Sequence, residues 1–492
     1  MPQADWLIRN ATIYDGNGGE PYIADIAIEN GCISAIGEQL NIGALHQLDA
    51  NGLALSPGFI DVHTHDDIEV LRHPAMLSKV SQGVTSVIVG NCGISASPVS
   101  GLNKLPDPMN LLGTLDEFAF KNINDYRQAL ERIVPAVNVA TLVGHTALRA
   151  QVMDCLERTA TDDEITQMRR LLKTALEQGA IGLSSGLAYA SAINASSDEV
   201  EQLAQELVAA DAVYTTHLRT EFEHILEALD EAFALGRKWQ VPVIISHLKC
   251  AGKANWGRSE QVLNHIENAK QHQHIGCDCY PYSASSSTLD LKQVTDDFDI
   301  LISWCEPHPE MAGKTLQTIA EIWQLSLLDA AKKLQPAGAI YHGMHEQDVK
   351  RFVSYAGSMI GSDGLPCDPN PHPRLWGSFA RVLGHYVRDE KILSLQQAIY
   401  KMTALPATEF GFANRGQIKA GYQADLVLFD PNCIEDKATF LSPIQAADGI
   451  NMVWVNGNLT YRHALAQQFA LQPRAGQFLT RLFLTSGNKE TL

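Results

Sequence analysis

The chain has 492 residues, 45% of them hydrophobic and 19% charged, a folded-protein composition that allows roughly two to four domains or one large barrel with an accessory unit. Its 37 Lys and Arg against 56 Asp and Glu leave a formal charge of −19. That charge repels phosphate backbones and anionic membranes and sets nucleic acid aside as a partner; an anionic small substrate would need cations placed locally in the site. No run reaches the roughly eighteen unbroken apolar residues of a membrane span, no basic leader opens the chain, and nine scattered cysteines suggest reduced thiols, so a cytoplasmic location is expected.

Taken in order, residues 1–52 read as short strands with Gly and Asn turns, at Trp6-Leu7-Ile8, Ala24–Ile28 and Cys32–Ile36. Eight β-rich runs follow: Leu53–Val62, Val84–Val89, Val137–Val143, Ile181–Ser184, Ala212–Thr216, Val241–Ser246, Ile275–Tyr280 and Ser358–Ser362. Helix-like stretches separate most of them, among them Asp162–Gln178, Asp198–Ala210, Glu221–Lys238 and Ser259–Gln271. Ser196-Ser197-Asp198-Glu199 offers caps at a helix start, and Gly179 and Gly236 sit at helix stops. Eight strands with intervening helices predict an α/β fold, a (β/α)8 TIM-type barrel over residues 53–410. Residues 287–345 are too long for one connection and read as an insertion, a lid over the barrel mouth. Ala424–Phe429 and Met452–Asn458 again read as strands. Residues 1–52 and 411–480 are therefore expected to pair into one small β-sandwich, since neither end alone has enough strands for a core.

The strand ends carry the chemistry. His63-Thr64-His65 closes the first run; residues two apart in a strand face one side, so both imidazoles aim at one point and form half of a transition-metal site. The second run ends at Cys92 and the third at His145, while the fourth runs toward Tyr189. The fifth ends at His217 with Arg219 beyond it, and the sixth at His247 with Lys249 beyond it. The seventh ends at Tyr280 and Tyr282, and the eighth at Asp363. Polar residues often follow apolar runs at a barrel rim, which accounts for one or two of these. It does not account for histidines at four strand ends with a cysteine and an aspartate at the same level.

Cys92, His217 and His247 supply a thiolate and two imidazoles, a set suited to Zn2+ that leaves a fourth position for water. Zinc brings the pKa of that water to about 7. Asp363 at the last strand end can accept the water's proton and return it to a leaving amine. His63 and His65 complete a second, weaker metal position beside the first. Lys249 shares a strand face with His247 and can meet an anionic substrate group. The plain alternatives are a buried inert thiol for Cys92, a turn-capping Asp363 and a solvated rim Lys249.

These residues also carry a resemblance. Pro-Gly-Phe-Ile-Asp-Val-His-Thr-His-Asp-Asp (57–67), Gly-Asn-Cys-Gly-Ile-Ser (90–95), Ser-Ser-Gly-Leu-Ala-Tyr (184–189), Thr-His-Leu-Arg-Thr-Glu (216–221), Ser-His-Leu-Lys (246–249), Tyr-Pro-Tyr (280–282) and Gly-Ser-Asp-Gly (361–364) resemble the amidohydrolase superfamily, and within it the N-acyl-D-amino-acid deacylases. The resemblance covers nearly the whole chain. Its specific part is the cysteine after strand two, where many amidohydrolases instead use a carboxylated lysine bridging two metals. It implies one tight zinc at Cys92, His217 and His247, and a low-affinity position at His63, His65 and Asp363, with Asp363 as general acid/base. It implies substrate contacts from Lys249, Tyr189, Tyr280 and Ser286, with Arg374 joining Lys249 on the substrate's α-carboxylate. The implied reaction is zinc-dependent hydrolysis of N-acyl-D-amino acids to a carboxylate and a free D-amino acid; the D preference comes from the resemblance alone. Three alternatives stay open: a deacylase restricted to N-acyl-D-glutamate or N-acyl-D-aspartate, with Lys292 meeting the second carboxylate; an amidohydrolase acting on isoaspartyl dipeptides or cyclic amides; and an inactive metal- or metabolite-binding barrel. Cys92 argues against the second and the complete ligand set against the third. The oligomeric state stays open.

Overall fold

The computed structural model of the chain describes residues 4–463 and 473–481. Eight short strands lie side by side in chain order: Phe59–Asp61, Val84–Val89, Asn138–Gly144, Gly182–Gly186, Val213–His217, Val243–Ile245, Ile275–Cys279 and Ser358–Ile360. Every neighbouring pair is parallel, and nearly all positions are buried, as parallel strands covered by helices require. The first and last strands meet just beyond their ends. There Thr64 bridges Gly364, and the Asp363 amide donates to the His63 carbonyl at 2.8 Å. This contact nearly closes a barrel and sets the residues after strand one beside those after strand eight.

Helices alternate with the strands, and their starts follow their caps. Asp162–Glu177 begins at a capping box of Thr161 and Glu164, and Ser197–Ala209 begins at Ser196, whose side chain accepts from the Glu199 amide. The helix expected over Glu221–Lys238 starts later, at Ile225, and runs to Trp239. The Thr220 hydroxyl accepts from the Phe222 amide at 3.2 Å, a local turn that competes with the first helical hydrogen bonds. Glu221 is thereby left in the loop.

The run Leu53–Val62, read as one barrel strand, divides at Gly58. Ala54–Pro57 joins a sheet built from both ends of the chain, while Phe59–Asp61 enters the barrel. The Gly58 amide donates to Asp425 at 2.7 Å, and a Cβ there would stand 2.2 Å from Thr85 Oγ1, so only glycine lets the chain turn from one sheet into the other. The end sheet runs Asn458–Arg462, Ile450–Val455, Leu426–Phe429, Ala54–Pro57, Ala4–Ile13, Tyr22–Glu29, Cys32–Gly37, with Ala44–Asp49 also on Ala4–Ile13. Ile8, Ile26, Leu55, Leu426 and Trp454 share its buried core. The expected segment 411–480 includes residues 464–472, and the segment 1–52 includes residues 1–3; both pieces lie outside the described residues.

Between barrel strands seven and eight, Ser285–Thr288, Ala337–Tyr341 and Ile300–Cys305 form a three-stranded antiparallel sheet in that order. Helices Leu316–Trp323 and Leu327–Leu334 share a core with it around Ile302, Leu316, Ile319 and Leu334. The Ser303 hydroxyl of this unit donates to Asp368 at 3.0 Å, which ties it to the loop after strand eight. No helix among the described residues is long and apolar enough to cross a membrane.

Candidate metal and active site

Three residues at the strand ends adopt left-handed backbone, Cys92 at φ 54°, His247 at φ 38° and Asp363 at φ 49°. For residues other than glycine this costs about 1–3 kcal/mol each, and such strain gathers at functional sites. The surrounding structure holds each one. Asp67 accepts from the Gly90 and Ala96 amides at 3.2 and 3.1 Å and so pins the loop that carries Cys92. At Gly186 a Cβ would stand 2.1 Å from the Cys92 carbonyl oxygen, so glycine is what admits that loop. Asp278 accepts from the His247 amide at 2.9 Å and lies 3.4 Å from His63 Nδ1, orienting both histidines. Under strands one and eight, the buried Lys79 ammonium donates to Asp61 at 2.9 Å and to Ser362 at 2.8 Å, with Asp66 at 3.2 Å.

The side chains so held converge. Cys92 Sγ lies 3.1 Å from His63 Nε2 and 3.3 Å from His247 Nε2, and His247 Nε2 lies 2.9 Å from His217 Nδ1. Asp363 Oδ1 stands 3.2 Å from His65 Nε2 and 3.5 Å from His63 Nε2. Two donor groups result, Cys92 with His217 and His247, and His63, His65 and Asp363 with Cys92, each with its donor atoms within 4.8 Å of one another. Cys92 belongs to both. Donors at about 2.0–2.3 Å from a tetrahedral zinc stand roughly 3.3–3.7 Å apart, so these separations admit an ion with small outward shifts. The donor set, a thiolate with imidazoles, suits zinc.

Electrostatics favours the ligand forms of Cys92, Asp363 and His217, whereas, against burial, the neighbouring anions raise His63, His65 and His247 toward the protonated form. Burial alone would raise the Cys92 thiol, but the His63 and His247 imidazoles outweigh it and hold it well below its ordinary value. Burial opposes ionisation of Asp363 as well, yet the Arg374 guanidinium, with His63 and His65, holds the carboxyl well below the usual range. Burial lowers His217 and keeps it neutral.

The residues expected to meet substrate lie around this cluster. The Tyr189 ring centroid is 4.9 Å from that of His217. The Tyr280 ring faces both cations, with Arg374 at 4.5 Å and Lys249 at 5.8 Å from its centroid. Arg374 Nη1 pairs with Asp363 Oδ2 at 2.8 Å, and Nη2 donates to the Ser286 carbonyl at 3.1 Å. The buried Ser286 hydroxyl has no hydrogen-bond partner among the described residues. Lys249 is buried rather than rim-exposed, its ammonium 2.5 Å from Glu221 Oε1.

Other strand-end residues point elsewhere. His145 begins the helix His145–Val152 and stands 2.8 Å from Glu199, which also takes Arg149. Arg219 donates to Glu231 at 2.9 Å, and the Tyr282 hydroxyl donates to Asp436 at 3.3 Å. Lys292 is exposed in a short helical turn. Glu221 and Asp67 stood in the quoted motifs without a role of their own, and Asp278 and Lys79 were not singled out from the sequence. Glu221 lay hidden inside a stretch read as helix, and the other three act through amides and ammonium contacts that no sequence spacing reveals.

A model of the amidohydrolase family matches residues 47–461. The chain is 46% identical over 477 residues to a D-aminoacylase of Alcaligenes xylosoxydans xylosoxydans, covering 97% of this chain and 98% of that one. It is 46% identical over 456 residues to an N-acyl-D-aspartate deacylase of the same organism, covering 92% and 91%. The crystal structure of an N-acyl-D-glutamate deacylase from Bordetella bronchiseptica, complexed with zinc and a phosphonate mimic of the tetrahedral intermediate, superposes with a TM-score of 0.93 at 42% identity, covering 97% of this chain and all of that one. With this barrel, this cluster of donors and these relatives, the chain belongs to the amidohydrolase family, in its N-acyl-D-amino-acid deacylase branch.

Proposed function

We propose that this enzyme hydrolyses the amide bond of N-acyl-D-amino acids, with one tight zinc at Cys92, His217 and His247 and a weaker position at His63, His65 and Asp363 that shares Cys92. The observation that carries the reading is the juxtaposition of the thiolate–imidazole donors with the Asp363–Arg374 pair, on a chain 46% identical to a D-aminoacylase. When bound, zinc supplies a Lewis acid beside the scissile carbonyl and helps generate the nucleophile from water.

The chain's own groups do the rest. Asp363, held ionised by Arg374, takes the proton of the attacking water at Oδ1 and returns it to the departing nitrogen. Lys249 and Arg374, both against the Tyr280 ring, receive the α-carboxylate and fix the substrate's orientation. Tyr189 and Ser286 line the same space, and the free Ser286 hydroxyl is a hydrogen-bonding group available to substrate. Burial of nearly every one of these groups excludes bulk water and strengthens their interactions. A cytoplasmic setting, with all nine cysteines unpaired, belongs to the same proposal.

The chain is equally identical to a D-aminoacylase and to an N-acyl-D-aspartate deacylase, so neutral and acidic side chains are both put to the test. N-acetyl-D-methionine, -D-leucine, -D-glutamate and -D-aspartate, each beside its L enantiomer, form the test panel, with zinc content measured on the same sample. Turnover of D substrates only, in proportion to zinc, is expected. Absence of turnover on the entire panel would overturn the reading in favour of a binding protein.

A further inference from the structure

We propose that Glu221 is a positioning residue that ties the metal centre to the substrate's α-carboxylate site, an inference that rests on the roles just proposed for His247 and Lys249. A single oxygen, Glu221 Oε1, stands 2.5 Å from Lys249 Nζ and 2.9 Å from His247 Nδ1, and Nζ itself is 2.7 Å from Nδ1. The other oxygen faces His217 Nε2 at 3.9 Å. The Glu221 backbone is also anchored, its carbonyl accepting from the Ala251 amide at 2.9 Å, so the carboxylate is built into the wall between strands five and six.

The hydrogen inventory decides what this carboxylate does. His247 aims Nε2 at the donor cluster; ligation there requires a free lone pair, so the ring proton sits on Nδ1. That N–H needs an acceptor, and the Lys249 ammonium carries three donors and none. Of the two groups within 3 Å of Nδ1, only Glu221 accepts. The buried ammonium in turn needs a counter-charge, and Glu221 is its carboxylate partner. One carboxylate therefore sets the tautomer and orientation of a metal ligand, an outer-shell task that typically carries 10–100-fold in metal affinity or activity. The same oxygen holds the cation that meets substrate.

Glu221→Gln and Glu221→Leu separate the two duties, because glutamine keeps an acceptor for the Nδ1 proton but has no charge for Lys249. Zinc retention against a chelator and the KM and kcat for N-acetyl-D-methionine are read on both, with folding checked by circular dichroism. Glu221→Leu is expected to lose zinc at about 10–100-fold lower chelator concentration and to raise KM. Glu221→Gln is expected to keep zinc near the wild-type level while KM still rises, and Lys249→Met should reproduce that KM change. A merely structural side chain would shift the melting temperature without this split. Wild-type KM in Glu221→Gln overturns the proposal, even if Glu221→Leu fails to fold; so does wild-type zinc retention in a folded Glu221→Leu. Cys92→Ala and His247→Ala are run alongside. If they lose zinc while the Glu221 variants behave as wild type, the Glu221 proposal alone fails. If they too keep wild-type zinc, the metal assignment fails and takes this proposal with it.

Discussion

Arg374 Nη1 lies 2.8 Å from Asp363 Oδ2, a buried guanidinium on the one carboxylate of the donor cluster. The pair joins the group expected to move the proton to the group expected to receive the substrate. It also keeps Asp363 in its proton-accepting form despite burial. Replacing Asp363 with Asn removes the acceptor but preserves shape. Turnover should fall roughly 10²–10⁴-fold while the tight zinc stays bound. Activity close to wild type, with zinc content measured in parallel, would exclude the proton role.

Arg374→Met acts on the same carboxylate from the other side. Arg374 lowers the Asp363 pKa, and the proposed base is the carboxylate. Losing the guanidinium raises that pKa, so the acid limb of kcat/KM should move to higher pH as KM for the substrate rises. A pH profile whose acid limb stays in place would show that Arg374 does not tune Asp363.

Because Cys92 belongs to both donor groups, Cys92→Ser should weaken both metal positions together. His217→Ala should empty only the tight one, and His63→Ala only its neighbour. Metal stoichiometry from elemental analysis, titrated with zinc, distinguishes these patterns; a Cys92→Ser protein with undiminished zinc would contradict the shared sulfur.

Lys79 has no exposed surface and serves two buried carboxylates, Asp61 and Asp66, where barrel strands one and eight meet. Lys79→Met leaves both without a counter-charge and should cost about 3–5 kcal/mol of unfolding free energy, with part of the metal affinity lost as His63 loosens. Urea unfolding measures the first effect. A loss below about 1 kcal/mol would mean that the carboxylates take up protons instead.

Lys292 is exposed and reaches none of the site residues in any hydrogen bond or ion pair among the described residues. Lys292→Ala should change kcat/KM for N-acetyl-D-glutamate by less than about threefold, the scale of a screened surface charge. A larger fall specific to acidic substrates would restore it as the cation for a second carboxylate.

Much of the barrel was legible in the chain, because parallel strands covered on both faces must be apolar throughout and so appear as dense β-rich runs. The strand-end residues followed from those runs. Two things misled the reading. The stretch 53–62 is apolar through both of its halves, so nothing in its hydrophobicity marks that Ala54–Pro57 pairs with the end sheet; that turn lies in the missing side chain of Gly58. His145 sits at a strand end like the other histidines but pairs with Glu199, a partner 54 residues away.

By itself the sequence determined the residue types of the site and their spacing to strand ends, since periodicity two and the C-terminal rim of a barrel are local consequences of strand geometry. It singled out His63 and His65 as well as Cys92, His217 and His247. Only the tertiary structure decided that one sulfur stands between both histidine sets, that Arg374 rests on Asp363, and that Glu221 turns inward to Lys249 and His247. Those relationships join residues between 11 and 155 positions apart. They depend on barrel closure and loop conformation, which pattern and propensity along the chain do not encode.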